Sequence, residues 1–384
     1  EKMGYKYVSD QSDLNDIRYH QDEYVQKLRE LIVSANLDTA NAAISIPITS
    51  AIVRTVTLPL MTDEEIESAI QYDSLWNNIL QLDEKLDEYS IFWQVIRRDT
   101  SNNTMELLFV ASKLSEINYY VQIAERAGLN PVVVDVRCFA IRNALKTQKH
   151  TFNGTTAIIE FGPNENYVLI VTDDAPFIYD IYVSDNDRAL IQSGELEGEQ
   201  GDRLYDRFAG QILQAFRAYD TKFGKNMIDR VLIVSPIQDK NAMMQQMRKC
   251  LDGYGIELFD PFSELQVPMN LDEIIDSEPN TSVFTSVIGL AVRKVDIFGY
   301  YKYVTGVNNV NLLPNRDAVH GIERKKVLSK VGLIGFAMVV SLFVVGTLMY
   351  QYFFNNSLSA QYQTAVQIEN QLQIKEAALA NLKA

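Results

Sequence analysis

The sequence is short of the residues that build metal and disulfide sites. It has two cysteines, Cys138 and Cys250, and three histidines, His20, His150 and His320. No Cys-x-x-Cys pair and no Cys/His ligand spacing links them, which argues against a zinc site or a disulfide framework. The two thiols are expected to be reduced and mostly buried. Positive charge is scarce as well: 35 Lys and Arg stand against 50 Asp and Glu, a formal net charge of -15. Phosphate binding needs clustered cations, so nucleic acid is set aside as a partner. No Ser/His/Asp or Cys/His constellation points to nucleophilic catalysis. The acidic runs Asp63-Glu64-Glu65 and Glu195 to Asp202 read as solvated surface.

What the sequence has is one long uncharged run. Val331 to Tyr350 reads VGLIGFAMVVSLFVVGTLMY, with Ser341 and Thr347 as its aliphatic hydroxyls. At about 1.5 Å per residue such a helix spans roughly 30 Å, the thickness of a bilayer's hydrocarbon layer. A buried core helix of that length would show a polar face, and this one does not. Its distance from the N-terminus rules out a cleaved signal. Arg316, Arg324, Lys325, Lys326 and Lys330 precede it, and no cation follows until Lys375. The positive-inside bias therefore puts the N-terminal part in the cytoplasm. Tyr350, Tyr352, Phe353 and Phe354 form an aromatic belt at the far interface, and Ala337 and Ser341 make a small-xxx-small pair. Beyond it, Ala365, Ile368, Leu372, Leu379 and Leu382 fit a heptad seam that Gln361 and Lys375 would share. Both a coiled coil and a lone amphipathic helix packed on a further domain fit that short seam. The chain opens at Glu1-Lys2 and closes inside a helical pattern, and is expected to be a piece of a longer protein.

Residues 1–300 alternate strand and helix patterns, as a mixed α/β architecture in two halves. Helical spacing runs over Tyr24 to Ser34. Ala42 to Pro47 and Ile52 to Pro59 read as strands. Thr62 and Glu65 form a capping box that opens a helix with Ile66, Ala69, Ile70 and Tyr72. Phe92 to Ile96 and Met105 to Ala111 read as an antiparallel pair across Asp99 to Asn103. A helix from Leu114 to Ala127 stops at Gly128, and Pro131 to Val136 is a buried strand. In the second half, Thr156 to Phe161 and Tyr167 to Val171 read as a hairpin. A long helix over Asp202 to Phe223, a strand over Arg230 to Val234, and helices over Ala242 to Tyr254 and Ser282 to Lys294 follow.

Several stretches resemble the PilM family of type IV pilus assembly proteins: Ile46 to Ser74, Glu106 to Leu145, Ile228 to Pro236 and Val287 to Asp296, in that order. Val307 to Lys326, with its Asn311-Leu312-Leu313-Pro314 core, is similar to the start of PilN, and the apolar run follows at once. The resemblance implies a PilM–PilN fusion of the kind found in MSHA-type pilus biogenesis. It implies an actin/FtsA-like two-lobed domain over 1–300, with an inserted subdomain at about 44–130. A PilN-like tail and linker would span 301–326, a transmembrane helix 327–354, and a periplasmic helical segment 355–384. Val310, Leu312 and Leu313 are apolar anchors for a groove, with Asn311 between them and Pro314 limiting the free tail's freedom. The docking site would be in cis or on a neighbouring subunit.

The resemblance also brings the question of ATP and magnesium. The family fold's Asp-x-Gly hairpin here reads Glu160-Phe161-Gly162. Where paired glycines usually follow a strand, this chain has Ser235-Pro236, whose ring and missing N–H would crowd a nucleotide. Gly198, Gly201 and Asp202 remain as possible phosphate-side residues. The expectation is a degenerate nucleotide fold used as a scaffold, with no catalysis and no cofactor; weak binding of ATP and magnesium is the alternative. The implied role is a structural adaptor in a bacterial inner membrane, with its N-terminal domain cytoplasmic and its C-terminal segment periplasmic. The implied partners are a PilO-like protein, the pilus platform protein, assembly ATPases, membrane lipid and further copies in a ring. An L-type anchor of type II secretion and an actin-like ATP-binding regulator are the competing readings.

Overall fold

The computed structural model describes residues 2–6, 8, 17–70, 82–145, 155–171, 176–224, 228–237, 239–278, 280–293, 310–314 and 316–383. The expected linker ahead of the tail, together with Tyr72 and His150, falls outside them. The chain divides into two compact units, 1–320 and 321–384.

The first unit begins with α1 (Gln21–Ser34) and β1 (Asn41–Ile46). A separate antiparallel sheet follows, built from β2 (Ile52–Pro59), β3 (Tyr89–Asp99) and β4 (Thr104–Lys113) in the order β2-β4-β3. Helix α2 (Asp63–Ile70) opens with the expected capping box: Thr62 N donates to Glu65 Oε2 at 2.8 Å and Glu65 N donates to Thr62 Oγ1 at 3.3 Å. The β3–β4 turn is held by the Asp99 carboxylate, which accepts from the Ser101 and Asn102 amides. Helix α3 (Leu114–Arg126) then leads to β5 (Asn130–Val136), which lies parallel to β1 with Ile44 opposite Val134. Parallel neighbours need a long crossover. Here α3 packs against both strands, so the inserted sheet itself covers only 52–113.

Helix α4 (Arg137–Leu145) follows β5 without a break, and Cys138 through Leu145 are all buried. The second half is a five-stranded sheet in the order β10-β9-β6-β7-β8. Its strands are β6 (Thr155–Phe161), β7 (Asn166–Val171), β8 (Pro176–Asp180), β9 (Ile228–Val234) and β10 (Ile256–Leu258). The β6–β7 hairpin is antiparallel, while β6, β9 and β10 run parallel. Strand β8 and helix α5 (Asp185–Ser193) were not foreseen in the sequence. Helix α6 (Glu199–Phe223) turns Leu204, Tyr205, Phe208, Ile212, Ala215, Phe216 and Tyr219 inward, a continuous helical stripe. That stripe and α7 (Lys240–Cys250) share an apolar cluster with Ala157, Ile159, Val231 and Ile233 of the sheet. The alternate positions Ile158, Leu169, Leu232 and Val234 join a second cluster with residues of β1, β5 and α4.

The chain continues through α8 (Asp272–Asp276) and a 3-10 turn over Thr281–Phe284 into α9 (Thr285–Ala291). A Cβ at Gly289 would lie 1.7 Å from the Ala140 carbonyl oxygen, so α4 and α9 meet backbone to backbone. Helix α10 (Arg316–Lys383) runs to the end of the described chain. From Leu333 to Leu379 its large apolar side chains are exposed. Gly332–Leu379 is the one helix among the described residues long and apolar enough to cross a membrane.

Candidate functional site

Strand β5 has β1 on one side, which leaves its other edge with unpaired backbone groups. Residues 310–314 lie along that edge. The Leu312 amide donates to the Val134 carbonyl at 2.7 Å. The Asn311 side chain completes the pairing. Its Oδ1 accepts from the Val134 amide and from the Leu313 amide, each at 3.0 Å, while its Nδ2 donates to the Val132 carbonyl at 3.3 Å. A carboxamide carries both an acceptor and donors, so one side chain reproduces what a strand backbone would offer.

The apolar residues on either side are covered. Val310 is 1% exposed, Leu312 0% and Leu313 5%, and Pro314 is half-buried. Val310, Leu312 and Leu313 belong to the cluster that also contains Ile46, Val134, Val136, Phe139, Phe284 and Ile288. Tyr5 and Met3 pack against the same cluster, and the Tyr5 ring meets Phe284 edge-on at 5.6 Å. Burying three large aliphatic side chains contributes about 5 kcal/mol before ordering costs. Next to Val134, Asp135 is wholly buried and paired with Arg293, two residues past the end of α9. Burial raises the Asp135 carboxyl to about 6, against the pull of the Arg293 guanidinium. Arg324, Lys325, Lys326 and Lys330 lie on the first turns of α10.

The second group of expected site residues gathers at the ends of β6 and β9. Glu160 is 2% exposed. Its Oε1 accepts from Arg137 Nε and its Oε2 from the Tyr167 hydroxyl, both at 2.5 Å. Gly162 sits under the Pro236 ring, which a Cβ there would meet at 3.0 Å. Ser235 is fully buried; its carbonyl accepts from Asn280 Nδ2 at 2.6 Å and from Ser282 Oγ at 2.7 Å. Gly201 and exposed Asp202 stand apart in the first turn of α6. A Cβ at Gly201 would lie 1.7 Å from the Leu196 carbonyl oxygen, so close packing accounts for that glycine. A nucleotide with magnesium, which the resemblance implies, would have to meet these side chains. The carboxylate that would face the metal has both oxygens engaged, and the space beside the hairpin glycine holds a proline ring. Among the described residues no group of three or more acidic, His or Cys side chains is placed to hold a metal ion.

Sequence reasoning missed Arg137 and Glu165. Arg137 stands out only as a cation inside the apolar run after β5. Glu165, in the β6–β7 turn, is 8% exposed and its Oε2 accepts from the Ile48 amide at 3.3 Å. Burial pushes the Glu165 carboxyl up to about 8, and the Glu160 carboxylate pushes the same way.

Two halves joined through α4 and α9, each with its own sheet, define an actin-like fold. Residues 8–181 match the family model described as type IV pilus assembly protein PilM. No curated protein matches the chain in sequence. Among solved structures, a PilM–PilN type IV pilus biogenesis complex is similar at a TM-score of 0.53 and 17% identity, over 70% of this chain and 84% of that one. The cytoplasmic domain of EpsL, an inner-membrane component of the type II secretion system of Vibrio cholerae, aligns at 0.36 and 12%, over 72% and 85%. A Bacteroides thetaiotaomicron protein with an actin-like ATPase fold aligns at 0.32 and 9%, over 62% and 76%. The fold is actin-like, and residues 8–181 are similar to the PilM family.

Proposed function

We propose that this chain is a structural inner-membrane adaptor of a type IV pilus assembly machine. One polypeptide would carry both a PilM-like cytoplasmic domain and a PilN-like tail and membrane helix. The observation that supports this most is the pairing of Asn311 and Leu312 with the free edge of β5, just ahead of the apolar helix. An extended segment added to a sheet edge takes affinity from backbone bonds and specificity from alternate side-chain pockets. The cations before the apolar run orient the domain toward the cytoplasm. The domain is proposed to act as a scaffold and not as an enzyme, because the engaged Glu160 and the seated Pro236 leave a nucleotide no purchase. The proposed partners are a PilO-like protein beyond the membrane, the platform protein and assembly ATPases on the cytoplasmic side, and further copies in a ring.

The test is a mild-detergent pull-down of the full chain from its own cells, wild type against Leu312→Asp. An unpartnered carboxylate in an apolar groove costs several kcal/mol, on the order of 3–5. Wild type is expected to recover pilus platform and PilO-like components and the variant to lose them. Recovery of secretion-channel and pseudopilus components would move the chain to an L-type anchor of type II secretion. Unchanged recovery and piliation in the variant would remove tail docking from the mechanism.

A further inference from the structure

Arg137 and the polar segment after α8 remain outside the docking contacts. Arg137 is the first residue of α4, three positions after Val134, which holds the tail. Its Nε reaches Glu160 on β6, and its Nη1 donates to the Ser286 hydroxyl on α9 at 3.2 Å. One guanidinium therefore joins the end of β5, the five-stranded sheet and α9. The neighbouring groups extend the closure. Asn280 Nδ2 donates to the Ser235 and Ile237 carbonyls, Ser282 Oγ donates to the Ser235 carbonyl, and the Thr285 hydroxyl donates to the Ser282 carbonyl. The ends of β6 and β9 are thus sealed by the chain's own polar atoms.

The same elements form the tail groove. Phe284 and Ile288 flank Ser286 in sequence and share an apolar cluster with Val310, Leu312 and Leu313. The backbone contact at Gly289 leaves α4 and α9 no slack, so a displacement of one carries the other. A planar guanidinium offers donors in a fixed fork, which is what spanning Glu160 and Ser286 at once requires. An ammonium on a flexible stem would satisfy only one of them well.

We infer that Arg137 is an internal clamp: it holds β5 and α9 at the separation the tail requires, and so does for this chain what a small ligand between the halves would otherwise do. The inference rests on the tail-docking reading above. Arg137 is a positioning residue, since it touches β6 and α9 and not the tail.

Hydrogen exchange of the full chain in detergent tests it, read by mass spectrometry on the backbone amides of 310–313. In wild type these amides are expected to exchange slowly, and millimolar ATP with magnesium is expected to leave the rate unchanged. Arg137→Gln is expected to speed exchange there at least tenfold, while α6, in the other cluster, keeps its wild-type rate. Arg137→Lys is expected to recover part of the protection. Ser286→Ala, which leaves the buried ion pair in place, is expected to speed exchange about threefold and carries the test should Arg137→Gln not fold. Wild-type protection that survives in every folded variant would overturn the clamp while leaving docking intact. Fast exchange in wild type itself would overturn docking and the clamp together. Slower exchange on adding ATP would overturn the claim that Arg137 stands in for a ligand.

Discussion

At Asn311 a single carboxamide satisfies the Val134 and Leu313 amides and the Val132 carbonyl. Replacing it by alanine leaves buried donors without acceptors, each worth about 1–3 kcal/mol. Asn311→Ala is therefore expected to speed amide exchange in the tail by roughly a hundredfold, measured in the full chain. Asn311→Asp keeps the acceptor but loses the donor to Val132, and should not restore protection. Glu165 makes a different prediction, in pH. Its folded pKa of about 8 lies above the ordinary 4.5, so the folded state holds a proton that the unfolded state releases between those values. Stability then falls as pH rises from about 4.5 to about 8, by a few kcal/mol as an order of magnitude, and is level beyond. Glu165→Gln is expected to flatten that slope and raise the unfolding midpoint at pH 8. A slope as steep as wild type's would show that Glu165 is not its source. Asp135, raised to about 6, adds a smaller fall in the same direction between the ordinary 3.8 and 6.

Elements meet most tightly at the α4–α9 crossing. Gly289→Ala would drive a methyl into the Ala140 carbonyl, with a contact of 1.7 Å to relieve. Overpacking typically costs about 1–3 kcal/mol, and here the obstacle is backbone on both sides. The expected outcome is a lowered denaturant midpoint together with faster tail exchange, because α9 also supplies Ile288 to the groove cluster. Thr62→Ala is the contrasting change. It removes one half of the capping box on α2 and should cost about 1 kcal/mol, with tail exchange unaltered. Equal effects of the two on the tail would mean that the insert and the groove respond as one body.

For the molecule as a whole, the prediction concerns sidedness. Cys250 is half-buried on the domain and Cys138 is fully buried. With Ser359→Cys added beyond the apolar run, a membrane-impermeant maleimide is expected to label position 359 in spheroplasts and Cys250 only after lysis. Labelling in the reverse order would overturn the orientation drawn from Arg324, Lys325, Lys326 and Lys330. The long helix exposes Leu358, Ile368, Leu372 and Leu379 along this region. A heptad seam and a packed amphipathic helix both use such residues, so cross-linking at 368 and 372 distinguishes a second copy from a different partner.

The sequence by itself determined the elements whose side chains repeat with a period. Helix α6 announced its stripe, the Thr62/Glu65 box marked the start of α2, and the uncharged run marked the long apolar helix. The burial of Val310, Leu312 and Leu313 was also legible, because a polar linker has no need of three large apolar residues. Helix α4 was not legible: it is buried on every side, so its residues carry no polar–apolar alternation to read. Strand β8 and helix α5 were missed as well, as was the return of α3 to the β1–β5 pair. Only the tertiary structure decided what Glu160 and Arg137 do. Twenty-three positions apart in sequence, they become partners once the first turn of α4 reaches the end of β6. A carboxylate that sequence pattern assigns to a metal is then consumed by a guanidinium. Local pattern records which face of an element is buried; which elements share that buried face depends on how the chain closes on itself.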